Sequence, residues 1–196
     1  MEITGVLGII TATLALVFGL RQLLNHASKA QANHLKVLRE VGHQLLLKEV
    51  QQPDAWLAFE GHINETILVL RTIPVVQARK TEIVTEVRCP TPTSVPAGFT
   101  VARSSVLGRL RCTLGNESNN AAILSQSAKL KEYVERFTEP LWAGRPGTGT
   151  IDSYGMCLRK SGTIEDPDVF HEMVRRTVDL HDVLALHRWS SQPTEA

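Results

Sequence analysis

The chain lacks an excess of charge of either sign. Its 21 Lys and Arg stand against 20 Asp and Glu, for a net +1, so the balance asks for neither a nucleic acid nor an acidic surface as partner. Aromatic side chains are scarce at 5%. Cysteine is scarce too: Cys89, Cys112 and Cys157 are an odd number and widely spaced. That excludes a disulfide framework and agrees with a reducing compartment.

Motifs with ready-made chemistry are also missing. No Cys-x-x-Cys, His-x-x-x-His or His-Glu-x-x-His occurs, so a metal site would have to be assembled from distant residues. No serine sits in a Gly-x-Ser-x-Gly elbow. Gly144 to Gly149 has the spacing of a phosphate-cradling loop, but Thr150 stands where such a loop needs its lysine. His171, Asp179, His181, Asp182 and His187 crowd the last helical segment. Glu172 with Arg176 and Arg175 with Asp179 are four-apart pairs of the kind found on solvated helix faces. No metal, no cofactor and no catalysis of its own is the expectation.

Charge is absent from one place above all. Residues 3–20, ITGVLGIITATLALVFGL, carry no charged, amide or proline side chain and as a helix reach about 27 Å, enough for a thin bilayer, or for an average one once Leu23, Leu24 and the flanking polar side chains adjust. Only Met1 and Glu2 precede this run, without the basic start that a cleavable signal peptide needs. A membrane-spanning signal-anchor helix is expected over residues 1–24. Arg21, Lys29, Lys36 and Arg39 follow it before the first acid, Glu40, which places the body on the cytoplasmic side, or in the matrix of a mitochondrion, with the N-terminus outside. Gly5, Gly8, Ala12, Ala15 and Gly19 recur at alternating steps of three and four and line one face. Such a smooth stripe admits close approach of a second transmembrane helix, from another copy or another subunit.

Between residues 25 and 52 an apolar stripe of Leu23, Ala27, Ala30, Leu38, Val41 and Leu45 continues the rod as a helical stalk. It can self-associate, lie on headgroups, or pack on the protein's own body. Gln52-Pro53-Asp54 breaks it. Residues 54–72 read as a second helix with Trp56, Phe59, Ile63, Ile67 and Leu70 inward, although 65–73 also fits a buried strand. Strands are expected at 81–88, 99–102 and 106–114, with a Pro-rich loop at 89–98. A helix over 121–138, a Gly-rich connector at 144–150, a strand at 153–159 and a helix capped by Asp166 with Pro167 in its first turn complete residues 53–189 as a small α+β domain. Residues 190–196 read as a polar, frayed tail.

One charged feature invites a partner. Arg109 and Arg111 alternate along their strand with Arg103 just upstream, a face able to hold anionic lipid headgroups or an acidic protein. Pairing to Glu82 and Glu86 across the sheet is the structural alternative. Asn64-Glu65-Thr66 and Asn116-Glu117-Ser118 match the N-glycosylation pattern, which would suit a secretory-side glycoprotein and opposes the charge-derived topology. The expected function is a single-pass, membrane-anchored interaction or accessory subunit. The alternative is a membrane-tethered enzyme or a metal- or ligand-binding domain.

Overall fold

The computed structural model describes residues 3–77, 80–103, 109–114, 127–140 and 149–189, with the side chains of 3–20, 23, 24, 77 and 80 left aside. These residues form a mixed α+β fold with three helices and one eight-stranded antiparallel sheet. The helices are α1 (Ile3–Gln44), α2 (Ala128–Thr138) and α3 (Pro167–Leu186). The strands are β1 (Lys48–Val50), β2 (Leu57–Ile63), β3 (Thr66–Gln77), β4 (Lys80–Cys89), β5 (Thr100–Arg103), β6 (Leu110–Thr113), β7 (Gly149–Asp152) and β8 (Gly155–Ser161). Across the sheet they run β1-β2-β3-β4-β8-β7-β5-β6.

Side chains alternate between faces along every strand. Leu57, Phe59, Leu68, Leu70, Val87, Leu158, Met156, Ile151, Val101 and Cys112 share one face by register and are all buried. The helices close over that face. From α1 come Val37, Leu38 and Val41, from α2 Leu130, Val134 and Phe137, and from α3 Phe170, Met173, Val174, Val178, Leu180 and Leu184. Gly42 on α1 lies so close to the Phe59 ring that a Cβ there would stand 2.6 Å from it. Between α2 and α3, Glu172 bonds Arg136, Arg175 and Arg176, and Arg176 donates to the backbone oxygens of Arg136 and Glu139 at the end of α2. Partial burial works against the Glu172 carboxylate, but hydrogen bonds and charge from Arg176 and Arg175 outweigh it and hold the carboxyl at about 2.

Three stretches depart from the expectations, one of them 149–161, where Gly149–Asp152 and Gly155–Ser161 form a hairpin with Ser153 and Tyr154 in its turn, in place of a connector to 150 and a single strand over 153–159. Residues 54–72 hold no helix: β2 and β3 form a hairpin there, joined by Asn64 and Glu65 at φ 49° and 69°. Left-handed backbone at both central positions is a type I′ turn, whose twist matches that of paired strands. Phe59, Leu68 and Leu70 then follow the two-residue period of a strand. The helix from residue 3 stops at Gln44, short of the expected 52. Leu46 takes φ 57° and its N–H bonds the His43 oxygen, while the Leu47 N–H bonds the Gly42 oxygen, the two closures of a Schellman turn. The second helix is described from Ala128, capped by Ser127. Residues 121–126, most of the Gly-rich connector, Asn116 and the tail 190–196 lie outside the described residues. The capped last helix stands as expected, Asp166 accepting from the Asp168 N–H with Pro167 at its start.

His34 joins the layers. Its ring is fully buried: Nδ1 accepts the Ile164 N–H at 2.9 Å, and Nε2 lies 2.9 Å from Thr72 Oγ1, with Thr85 Oγ1 beyond at 3.4 Å. Nδ1 also lies 3.2 Å from the Ile164 carbonyl oxygen, so one tautomer accepts at Nδ1 and the other donates from it, with Thr72 taking the complementary part at Nε2. Burial is the main force lowering its pKa, and the charge of Lys160 adds to it against the Ile164 bond. Since the unfolded ring titrates near 6.5, the unfolded state binds the extra proton first. The His34 contribution is whole above that pH and falls as the solution is acidified. Replacing His34→Leu strands the Ile164 N–H and the Thr72 hydroxyl and is expected to lower stability by roughly 2–4 kcal/mol. In urea melts from pH 5 to 7.5, part of the pH slope should vanish with it.

Candidate functional site: the open face of the sheet

The face opposite the helices carries no helix among the described residues, and a fully buried carboxylate lies on it. Register sets Ala58, Arg71, Glu86 and Arg159 in one row across β2, β3, β4 and β8. Arg88 shares the same face, two residues along β4 from Glu86. Glu86 Oε2 takes Arg71 Nη2 at 2.9 Å and Arg88 Nε at 2.9 Å, and Oε1 takes Arg159 Nε at 2.6 Å. Arg71 Nη1 reaches on to Gln52 and Asp54, both at 2.9 Å. The Glu86 side chain is 0% exposed and Arg71 13%, while Arg88 and Arg159 stand 38% and 50% exposed. Burial penalises the Glu86 anion most, but the Arg88 and Arg71 hydrogen bonds and the charges of Arg159 and Arg88 win, so its carboxyl sits below the usual range.

Three guanidiniums converge on one carboxylate. The apron around them is apolar: Ala58 and Val84 are buried and Val69 and Ile73 half-buried. The four charged groups lie on the middle strands of the sheet. The sequence offered a weak signal, since Glu86 and Arg88 stand two apart in a strand pattern. Arg71 and Arg159 are 15 and 73 residues from Glu86 and join it only through strand pairing.

Of the arginines singled out by sequence, Arg111 pairs Ala102 and Arg103 pairs Leu110, so Arg103 and Arg111 point to opposite faces. Arg103 lies on the helix side and donates to Thr138 Oγ1 at 3.3 Å. Arg109 and Arg111 are exposed on or beside edge strand β6. Glu86 is committed to Arg71, Arg88 and Arg159, and no bond from Glu86 to the edge arginines is seen. Gly5, Gly8, Ala12, Ala15 and Gly19 fall within the helical backbone of α1, but their surroundings lie outside the described residues.

The remaining candidates are quieter. All three thiols are buried and none forms a disulfide. Burial pushes Cys89 up to about 12, aided by Cys157 and Asp182, and Cys112 up to about 11, far from thiolate chemistry. Among the described residues no group of three His, Cys, Asp or Glu is placed to hold a metal. His181 bonds Thr66 at 2.9 Å, and His171 bonds Gln44 at 3.1 Å. An open cleft of about 500 Å³ lies under the Pro-rich loop, with Pro90, Pro92, Phe99, Asp152 and Tyr154 in its wall. Asp152 is the one carboxylate in that wall, beside the hydroxyls of Ser153 and Tyr154, and no His, Cys or Lys lines the cleft.

Breaking the cluster at its buried carboxylate should be costly. Glu86→Gln leaves three guanidiniums converging on a neutral amide and is expected to lose roughly 3–5 kcal/mol in urea unfolding. Arg109→Gln on the exposed edge should stay within about 0.5 kcal/mol.

Neither the protein-family models, nor the curated proteins, nor the solved structures hold a match to this chain.

Proposed function

We propose that the protein is a single-pass, membrane-anchored interaction subunit: residues 3–20 cross the bilayer and the α+β body stands on the cytoplasmic or matrix side. One observation supports this reading above the others. A single unbroken helix, Ile3–Gln44, carries both the uncharged run in its first half and the core residues His34, Val37, Leu38 and Val41 near its end. Among the described residues no helix is long and apolar enough to cross a membrane. The uncharged run, whose side chains are not among them, falls outside that statement.

Residues 21–33 add about 20 Å of helix between the run and His34, most of their described side chains exposed. A helix fixed in the core at one end and in lipid at the other sets the distance and tilt of the body instead of tethering it loosely. A tether needs only a flexible linker, whereas a fixed geometry serves a body that must meet a neighbour. The small-residue stripe in the run supplies the close-packing face for the neighbour's own helix.

The mass of the detergent-extracted native particle tests this. Wild-type chain is expected to travel with a partner chain, another subunit or a second copy, and Gly8→Leu combined with Ala12→Leu should reduce it to a lone chain without unfolding the body. An unchanged assembly in that variant would remove the stripe from the account.

A further inference from the structure

We infer that the β3–β4 hairpin makes a second membrane contact: its projecting end, with Val75 and Val76, rests in the headgroup layer of the bilayer that α1 enters. The inference rests on the membrane-anchored reading and adds to it a contact made by the body itself.

Direction comes first, and three points track α1 across the sheet. A Cβ on Gly61 of β2 would meet Leu47 just past the helix, a Cβ on Gly42 would meet the Phe59 ring, and His34 reaches Thr72 with Thr85 beyond. By register Gly61 stands opposite Leu68, Phe59 opposite Leu70, and Thr72 opposite Thr85. Followed back towards residue 3, α1 therefore advances in the direction in which β3 runs out to Gln77. Helix α3 leaves the other way: Phe170 packs on His34, while His181 bonds Thr66 and Ser94 donates to the Leu184 oxygen.

Reach comes next. β3 pairs β2 as far as Thr72, and β4 pairs β8 as far as Val84, with the Gly162 N–H on the Ile83 oxygen as a last bond. Past that point, among the described residues, the two strands pair with each other alone, out to Gln77 opposite Lys80. This arm carries β3 about 17 Å past Thr72, and α1 covers about 20 Å from His34 back to Arg21. Helix and strands cross obliquely, since the eight residues of α1 from Gly42 to His34 pass two residues of β3. A tilt of the size spanning helices commonly take, about 20°, brings the end of the arm to the headgroups beside Arg21.

The side chains suit that place. A ribbon bathed in water on one face alternates apolar with polar residues, whereas Ile73-Pro74-Val75-Val76 sets four apolar residues in succession and so on both faces. Val76 is 75% exposed, on a two-stranded form that is marginal in water by itself. Residues 77–80 read Gln-Ala-Arg-Lys, two cations without an anion, and Glu82 further down is half-buried. Exposed apolar side chains next to basic sequence fit an anionic headgroup layer.

The test uses the full chain in vesicles of phosphatidylcholine with one-fifth phosphatidylglycerol, carrying an environment-sensitive fluorophore on one introduced cysteine. Cys89, Cys112 and Cys157 are buried and shielded from the label. Val76→Cys is the main variant, and Thr81→Cys, directly opposite it, serves where the first fails to fold. Leu186→Cys, 79% exposed at the far end of α3, is the water-side reference, and Leu14→Cys reports the anchor. A lipid spin-labelled at its headgroup is expected to quench labels at 76 and 81 at least threefold more than at 186, and iodide to do the reverse. Labels at 76 and 81 as open to iodide as that at 186, with 14 shielded, would overturn the contact and leave the anchor standing. Residue 14 open to iodide would overturn both. Labels at 76 and 81 reached by neither quencher would mean a cover of protein, which also overturns the contact.

Discussion

The fold depends on how a polar ring is buried between layers that are otherwise apolar. His34 stands on a helix, yet its two nitrogens are satisfied by the loop before α3 and by a threonine of β3. Phe170 of α3 packs on the same ring, 5.6 Å between centroids. An apolar residue could fill that space, but it would leave a backbone N–H and a hydroxyl without partners in a dry interior, each a loss of about 1–3 kcal/mol. The bonds also fix register: α1 cannot slide along the sheet without losing both.

The two faces of the sheet divide the labour. On the helix side the stabilising terms are area and packing, with Phe59, Phe137 and Phe170 fully buried and each worth roughly 2–3 kcal/mol of transfer free energy. On the other side the sheet keeps one carboxylate out of water and surrounds it with cations. Such a cluster is a poor source of net stability, since desolvation consumes most of the Coulombic gain. It is a good source of orientation, since four charged groups hold each other in fixed directions.

Much of the body could be read along the chain where local rules agree with the tertiary outcome. The alternation of Thr85 and Val87 with Glu86 and Arg88, the Asp166-Pro167 start signal and the helix through Leu130, Val134 and Phe137 are each set by neighbours within a few residues, and they stand. The failures have particular causes. Asn64-Glu65 closes a type I′ hairpin without the glycine that marks most such turns, so the flanking segments looked long enough for a helix. Leu46 occupies the left-handed position of a Schellman turn that usually holds glycine, so nothing in the sequence signalled the end of α1. The Glu86 cluster was beyond reach for another reason: its members come from three strands, and which strands pair is decided by the whole sheet. Arg103 and Arg111 were grouped by proximity in sequence, while pairing to Leu110 and Ala102 sends them to opposite faces.

The central claim is that one helix runs from the bilayer into the core. A nitroxide scan along α1, from residue 3 to residue 33 in liposomes, tests it most directly by comparing collision with oxygen, which enters lipid, and with a water-soluble nickel chelate. The account requires oxygen to dominate from 3 to 20 and the chelate to take over beyond Arg21. A single helical period should persist across the change until contacts with the body begin near His34. Chelate access throughout 3–20, or a break in the period between Leu20 and His34, would contradict it.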